Sequence, residues 1–268
     1  MTDTLRVPLV VLAIIGLLAV AGPWLWTIDP DRTALSRTFA APSVTAPLGT
    51  DEFGRDLLSR LLHGGRYTLG GGLAVVCCST SIGLIIGAIA SMAGGRVDAA
   101  LSRLIDGLLT LPGLVVALAL VGVLGRSFPH LLLALVLTEW PWYARVYRAL
   151  FATQAGSAYA LAAVAIGAHP VRVAWRHLAP NVAGPVLVLA TANLGAAMLA
   201  LSSLSFVGLG VEAPQAEWGA MVSAGRGYFQ TQPWVVALPG MAIGLTVLAT
   251  SLLGDALRDL ADPRHAPA

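Results

Sequence analysis

The chain has 268 residues, of which 57% are hydrophobic and 11% are charged, whereas roughly a quarter are charged in an ordinary soluble domain. The mean hydropathy of +0.79 points to a lipid bilayer as the solvent. The formal net charge of +2 says little about partners, but no basic patch points to nucleic acid, and we expect no nucleic-acid partner. Cys77 and Cys78 are adjacent, so they cannot close a loop, and no histidine or acid stands near them to complete a metal site. We expect neither a disulfide nor a metal ion on this chain.

Long apolar runs predict an all-α membrane protein with six transmembrane helices. A helix needs roughly 20 mainly apolar residues to cross about 30 Å of hydrocarbon. The runs that satisfy this are Val7–Trp26, Thr68–Gly94, Leu104–Gly125, His130–Leu150, Pro180–Gly210 and Trp234–Leu257. The first run could be taken for a signal peptide, but it is longer than the apolar core of such peptides, which has about 7 to 15 residues. Its tryptophans suit an interfacial anchor, so we interpret it as a retained helix.

The predicted spans divide the chain into two parts. Residues 1–67 hold the first transmembrane helix and an external segment, and residues 68–268 form a core of five helices. An even number of crossings places both termini on one side of the membrane. Arginine is more frequent in the short loops on the side of the N-terminus, so the positive-inside rule places both termini in the cytoplasm. The segment that joins the fourth and fifth helices is then cytoplasmic as well.

This joining segment, Tyr159–Asn181, reads YALAAVAIGAHPVRVAWRHLAPN and is too polar to be a further span. The Ala-rich residues 157–166 predict a short helix. Gly167 ends it, because glycine adopts the left-handed C-terminal turn most easily. Pro170 suits the first turn of a second helix, which Pro180 closes. The segment therefore predicts a helix-turn-helix on the cytoplasmic surface.

The two predicted helices of the joining segment differ in character. The apolar stripe of the second helix has amphipathic spacing and consists of Val171, Ala174, Trp175 and Leu178. Arg172 and Arg176 project from another face of that helix. The small residues of the first helix, along which another surface can approach closely, are Ala160, Ala162, Ala163 and Gly167. Two interpretations follow, namely docking into a cleft on a partner protein or an interfacial loop that only joins two spans.

Glu139 is the one acid well inside an apolar run. Burying a charged side chain at the bilayer centre costs roughly 2.5 to 3.5 kcal/mol on insertion scales, so the carboxylate should face the bundle interior, water or a cation. It could line a pathway and meet a cationic substrate or a peptide amine. Alternatively it pairs with an arginine of this chain or of a partner, or it is a protonated acid at a kink made by Pro141. The neighbouring aromatic residues, which could line the pathway or form an interfacial belt, are Trp140, Trp142, Tyr143 and Tyr147.

The joining segment resembles the cytoplasmic coupling motif of permease subunits of binding-protein-dependent ABC importers. That motif has Glu-Ala-Ala, three residues, a Gly, and a Leu-Pro pair thirteen residues after the Gly. The residues that match it are Ala162, Ala163, Gly167 and Pro180. Leu161 occupies the Glu position and Ala179 the Leu position. The missing acid removes a charged contact that such motifs often offer.

Three further blocks are similar to the C-type permease of the dipeptide, oligopeptide and nickel importers, and they follow the order of that family. The blocks are Leu48–Arg66, Leu204–Met221 and Leu252–Arg264. The resemblance thus extends over residues 48–264. It implies that Asp51, Arg55 and Asp56 belong to a small folded element near the face that meets the binding protein. Local capping and ion pairing explain these charges equally well.

The resemblance implies a heteromeric importer in the bacterial inner membrane. Its expected partners are a B-type permease, two ATPase subunits or one fused ATPase, an external substrate-binding protein and the lipid bilayer. It also implies that an ATPase contacts the residues matching the coupling motif, together with Arg172 and Arg176. The cargo would be di- or oligopeptides, with nickel, a metal chelate or a haem-like molecule as the alternative.

We expect no enzymatic activity on this chain. The sequence contains no Lys, hence no Gly-rich loop ending in Gly-Lys-Ser or Gly-Lys-Thr. ATP and Mg²⁺ would be held by partner subunits, and this chain would carry no cofactor. Two other classes fit the sequence less well. An intramembrane enzyme would need a constellation of acids or of His, Ser and Cys in the membrane, and a secondary transporter would show an internal repeat.

Overall fold

The computed structural model describes residues 2–261, apart from the side chains at positions 2–4, 170, 171 and 261. Within these residues the chain is helical, and its β structure is limited to two isolated bridges. The helices are α1 (Thr2–Leu25), α2 (Leu57–Ala93), α3 (Gly95–Leu109), α4 (Gly113–Leu124), α5 (Phe128–Ala155), α6 (Ala158–Ala165), α7 (Pro170–Val173), α8 (Ala179–Phe206), α9 (Trp218–Gly225) and α10 (Trp234–Ala261). The predicted all-α class is confirmed. The end of the block that resembles the family at Leu252–Arg264 lies outside the described residues.

Four helices are long and apolar enough to cross a bilayer, namely α1, α2, α10 and the continuous helix from Ala174 through α8. There is a fifth span if α3 and α4 count as one, but these helices meet at an angle of 85°. The predicted third span, Leu104–Gly125, is therefore wrong as a single straight helix. The break falls at Leu111 and Pro112, because proline lacks an N–H and disfavours helical geometry in the residue before it.

Helix α5 lies where the fourth span was predicted. Its 28 residues extend about 42 Å at about 1.5 Å per residue, which is long enough to cross. It is less apolar than the other long helices, because it carries Glu139, Arg145 and Arg148. The guanidinium of Arg148 pairs with Asp98 of α3, with its Nη2 at 2.6 Å. This ion pair joins α3 to the second half of α5. The total of six crossings remains a prediction.

Helix α2 begins at Leu57, earlier than the predicted Thr68. Asp56 caps it by accepting a hydrogen bond of 2.7 Å from the backbone N–H of Ser59. The same carboxylate oxygen accepts the indole N–H of Trp26 at 2.9 Å, which ties the end of α1 to the start of α2. The 37 residues of α2 extend about 55 Å, well beyond about 30 Å of hydrocarbon. Helix α2 is therefore longer than one crossing needs.

Helices α2 and α5 approach each other through glycines. A Cβ atom at Gly83 would lie 2.5 Å from the Cβ of Tyr143, and one at Gly87 would lie 2.7 Å from the backbone nitrogen of Arg148. The contacts advance along both helices in the same direction, so α2 and α5 run parallel. Small residues allow membrane helices to come this close and to gain van der Waals contact.

Helices α8 and α10 pack in the same way but in opposite directions. A Cβ atom at Gly195 would lie 2.6 Å from the hydroxyl oxygen of Thr250, and one at Gly254 would lie 2.5 Å from the Cα of Ala192. Since the residue order reverses between the helices, they run antiparallel. The main apolar core lies between α2, α4, α5 and α8.

Candidate functional site

The joining segment folds as the sequence predicts at its centre. Helix α6 ends in a turn in which Gly167 has φ +85°. The N–H of Gly167 donates to the carbonyl of Val164 at 2.9 Å, and the N–H of Ala168 donates to the carbonyl of Ala163 at 3.0 Å. These two bonds define a Schellman motif, which satisfies carbonyls at the helix end and requires the left-handed conformation at Gly167. The predicted glycine-terminated helix is confirmed.

The second half of the segment differs from its prediction. The residues that follow α7 form a π-helical turn, in which the N–H of Ala179 donates to the carbonyl of Ala174. A π turn brings residues five apart onto one side, and Val173 and Leu178 are both buried. Trp175, predicted to lie in the apolar stripe, is instead 77% exposed. The wider turn rotates it away from the core.

The sequence predicts that Pro180 closes the second helix, but the helix continues through this residue. The chain is helical without a break from Pro170 to Phe206, and Pro180 lies exposed in the first turn of α8. The π turn before it changes the local backbone bonding, which is how membrane helices tolerate proline. As a result, the part of the joining segment from Pro170 onward and α8 form one continuous helical arm.

The small residues of α6 lie on two different faces. Ala160 and Ala163 are buried in a cluster with Phe151 and Val182 of the same chain, so they pack inward. Ala162 is exposed. Ala160 and Ala163, predicted to let another surface approach closely, lie against α5 and α8 of the same chain.

An apolar surface remains on the outer side of α6. Its large residues are Leu161, Val164 and Ile166, which are exposed by 58%, 56% and 87%. We call these three residues the α6 face. Leu161, which stands where the family motif has Glu, is thus part of this face. Arg172 and Arg176 are also exposed, beyond the turn at Gly167.

The residues around Glu139 do not all face one space. Glu139 and Trp140 are half-buried, Trp142 is exposed, and Tyr143 is buried with a relative exposure of 2%. The ring of Tyr143 meets Trp142 edge to face, with centroids 5.1 Å apart. Tyr143 and Tyr147 pack against the glycines of α2, so they are part of the helix interface. Within the part of the chain that the structure describes, Glu139 forms no ion pair.

The predicted external residues form a compact ion-paired element. The carboxylate of Asp51 accepts a hydrogen bond of 2.6 Å from Nε of Arg55 and lies 3.5 Å from Nε of Arg60. Arg60 also donates to the carbonyl of Pro214 at 3.1 Å, in the loop between α8 and α9. Asp51, Arg55 and Asp56 are all buried. Capping and ion pairing therefore stabilise the folded element, and its charged side chains are paired within the chain.

Glu217 is a buried acid that the sequence analysis missed. It is fully buried and accepts hydrogen bonds from the hydroxyl of Thr68 at 2.7 Å and from the backbone N–H groups of Gly219 and Ala220 at 3.0 and 2.9 Å. Burial raises the pKa of Glu217, and these donors offset part of the rise. The bond to Thr68 joins the loop before α9 to α2. An acid before a short helix is a capping signal that the sequence shows. No sequence signal identifies Thr68 of α2 as its partner.

Comparison with known proteins gives the family. The family model for the inner membrane component of binding-protein-dependent transport systems matches residues 80–266. The chain belongs to this family. Its match includes the joining segment, α8 and α10, whose geometry is described above.

Individual permeases are similar along almost the whole chain. The nickel transport system permease protein NikC of Escherichia coli is 40% identical over 260 residues, which cover 97% of this chain and 94% of that protein. The di/tripeptide transport system permease protein DppC of Pseudomonas aeruginosa is 38% identical over 252 residues, covering 92% and 83%. The dipeptide transport system permease protein DppC of Alkalihalophilus pseudofirmus is 35% identical over 258 residues, covering 96% and 85%. The chain is therefore a permease component of an ABC importer.

Proposed function

We propose that this permease forms one half of a translocation pathway and transmits the movement of an ATPase subunit through its joining segment. The observation that carries the proposal is an exposed apolar face on α6, which the Schellman turn at Gly167 joins to one helical arm. The α6 face offers Leu161, Val164 and Ile166, and the arm continues unbroken from the π turn into α8.

Coupling through this segment is mechanical. An ATPase subunit binds the α6 face and the exposed Ala162, and its movement displaces α6. The Schellman turn at Gly167 transmits this displacement to the helical arm. Ala163 contributes from the inner side, because its close packing keeps α6 attached to α5. Alternating access is then a shift between inward-open and outward-open populations, biased by ATP and by the loaded binding protein.

The missing acid of the motif changes the chemistry of this contact. Leu161 makes the contact apolar, so its strength should depend little on salt, whereas a Glu contact would be screened. The partner ATPase should then present an apolar cleft to α6. Pull-down of the ATPase subunit from native membranes tests the proposal. Leu161→Asp should reduce recovery, while Leu35→Asp, a similarly exposed change in the segment between α1 and α2, serves as the control.

The proposed assembly contains this chain, a B-type permease, two ATPase subunits or one fused ATPase, and an external binding protein. ATP and Mg²⁺ bind to the ATPases, and this chain is non-catalytic. We further propose six crossings with both termini in the cytoplasm, with α5 as the fourth crossing and the bent pair α3 and α4 as the third. The parallel course of α2 and α5 supports this, since the second and fourth crossings of such a topology share a direction. Labelling of single cysteines from either side of the membrane tests it.

The proposed cargo is a di- or oligopeptide. The relatives named for di/tripeptides and dipeptides support this, and Glu139 is suited to meet a peptide amine because no cation of the described residues pairs with it. Nickel is the second candidate, since the nickel permease NikC is 40% identical. Uptake of labelled dipeptides and of nickel by the reconstituted importer, each with the cognate binding protein, separates the two. Nickel uptake without peptide uptake would overturn the peptide proposal.

A further inference from the structure

An apolar groove runs along the last turns of α2 and ends at the π turn. Its volume is about 480 Å³, and all of its lining side chains are apolar. The residues that define it best are Ile85, Ala88, Ile89 and Met92 of α2 with Trp175 and Ala179 of the helical arm. The groove lies against α5 at Phe151 and is open on its outer side.

Two cations neighbour, along the helical arm, the residues Ala174, Trp175 and Ala179 that line this groove. Arg172 and Arg176 are exposed, and they lie about one turn apart on either side of Trp175. Trp175 lines the groove although most of its surface is exposed. An indole with one apolar edge in a groove and the rest exposed is typical of the boundary between hydrocarbon and headgroups. Arginine stems likewise lie along apolar surface while the guanidinium reaches the headgroups.

The position of the groove along the spans gives its depth in the bilayer. It occupies residues 84–93, the end of the α2 span, and the span that contains α8 begins at Ala174. Under the topology proposed above, on which this inference rests, the end of the α2 span and the start of the α8 span both meet the cytoplasmic face. The groove then lies in the cytoplasmic leaflet, with the arginines at headgroup level.

We propose that the groove holds an acyl chain of an anionic phospholipid whose phosphate is bound by Arg172 and Arg176. A helix of the partner permease could fill the apolar groove, but an uncharged helix would leave both guanidinium groups without a counter-charge. An anionic lipid satisfies the groove and the cations together, and the cytoplasmic leaflet supplies such lipids. The two arginines thereby anchor the helical arm to the membrane, and the ATPase contact is left to the α6 face.

Fluorescence quenching detects this lipid directly. The full chain, in nanodiscs of phosphatidylcholine, receives small amounts of phosphatidylglycerol or phosphatidylcholine with brominated acyl chains. The chain has 7 tryptophans, so the signal of Trp175 is taken as the difference between the parent and Trp175→Phe. We expect brominated phosphatidylglycerol to quench this difference signal at lower mole fraction than brominated phosphatidylcholine.

Charge removal tests the role of the arginines. The double variant Arg172→Gln with Arg176→Gln should lose the preference for phosphatidylglycerol, by about fivefold for each arginine and about thirtyfold for both. The matched control is Arg96→Gln with Arg103→Gln, which removes the same charge from exposed positions on α3. The control should keep the preference. Equal loss in both variants would mean a general surface effect and would overturn the proposal.

Filling the groove tests the acyl-chain site. Ala88→Phe should abolish quenching of Trp175 by either brominated lipid, and a thermal melt checks that the variant is folded. Ile85→Ala enlarges the groove without filling it, and it should keep the preference. If assembly with the partner permease removes the quenching, the groove is a subunit interface and the lipid proposal is wrong. ATPase pull-down through the α6 face is unaffected by that outcome, so the two proposals fail separately.

Discussion

Replacing Gly167 separates the conformational role of this residue from its size. A Cβ atom at this position would have no heavy atom within 4 Å, so there is free space for a side chain. The constraint lies in the backbone, because φ is +85° and two hydrogen bonds of the Schellman motif depend on it. For a residue with a Cβ, the left-handed conformation costs roughly 1–2 kcal/mol.

The size of the effect follows from this cost. Gly167→Ala should destabilise the turn by about 1 kcal/mol, and Gly167→Val by about 2 kcal/mol because it is β-branched. Since about 1.4 kcal/mol is tenfold, the equilibrium constant for forming the competent turn falls roughly fivefold and thirtyfold. Gly167→Asn should lie closest to the parent, since Asn tolerates this conformation best among residues with a side chain.

The assay is ATP-driven uptake by the importer reconstituted in proteoliposomes with its binding protein, along with the amount of ATPase bound. Uptake should decrease in the order Gly, Asn, Ala, Val, while the amount of permease in the membrane stays constant. Gly156→Val is the matched control, because Gly156 ends α5 with φ −79° and has nothing closer than 3.7 Å to its Cβ position. Equal uptake by the two Val variants would refute the argument. If Asn is as poor as Val, side-chain volume and not the backbone decides.

Three further perturbations test the pathway, the helix interface and the buried acid. Glu139→Gln keeps the size of the side chain and removes its charge, so uptake of cationic cargo should fall on the order of tenfold, about 1.4 kcal/mol, with uptake of neutral cargo as the control; equal uptake of every cargo would remove Glu139 from the pathway. Gly83→Val places a Cβ 2.5 Å from that of Tyr143, and such overpacking should lower the unfolding free energy by about 1–3 kcal/mol in a detergent melt, whereas Gly70→Val, with open space around it, should not. Glu217→Gln replaces one acceptor oxygen by an NH₂ group and should cost about 1–3 kcal/mol. Because burial raises the pKa of Glu217 above its ordinary 4.5, its contribution to stability is greatest below pH 4.5 and is lost as the pH rises through the raised pKa. The melting temperature of Glu217→Gln should therefore depend less on pH than that of the parent, whereas the exposed control Glu212→Gln should follow the parent. An unchanged pH dependence of the melting temperature in Glu217→Gln would contradict the assignment.

Local features of the fold could be predicted from the sequence. The apolar runs predicted α1, α2, α8 and α10, because burial in hydrocarbon requires about 20 consecutive apolar residues whatever the neighbours are. Gly167 was predicted to end α6 because the left-handed turn depends on one residue. The break before α4 has a sequence signal as well, since Pro112 follows Leu111, and the prediction of one straight span overlooked it.

The direction in which side chains face was decided by tertiary packing. Ala163 faces inward because α6 lies against α5 and α8, and Tyr143 is buried because Gly83 of α2 leaves room for it. Trp175 is exposed because a π turn shifts the helical register, which the spacing of an ideal helix does not foresee. Contacts of this kind join residues far apart along the chain.

The sequence alone determined the class of protein, the places of most long helices and the turn at Gly167, since each depends on residues close together along the chain. Only the tertiary structure decided that Asp51, Arg55 and Arg60 pair within the chain, that Glu217 bonds to Thr68, and that an apolar groove ends at the π turn of the helical arm. The physical reason is that burial and pairing depend on which surfaces meet, and glycines on distant helices determine how closely they do.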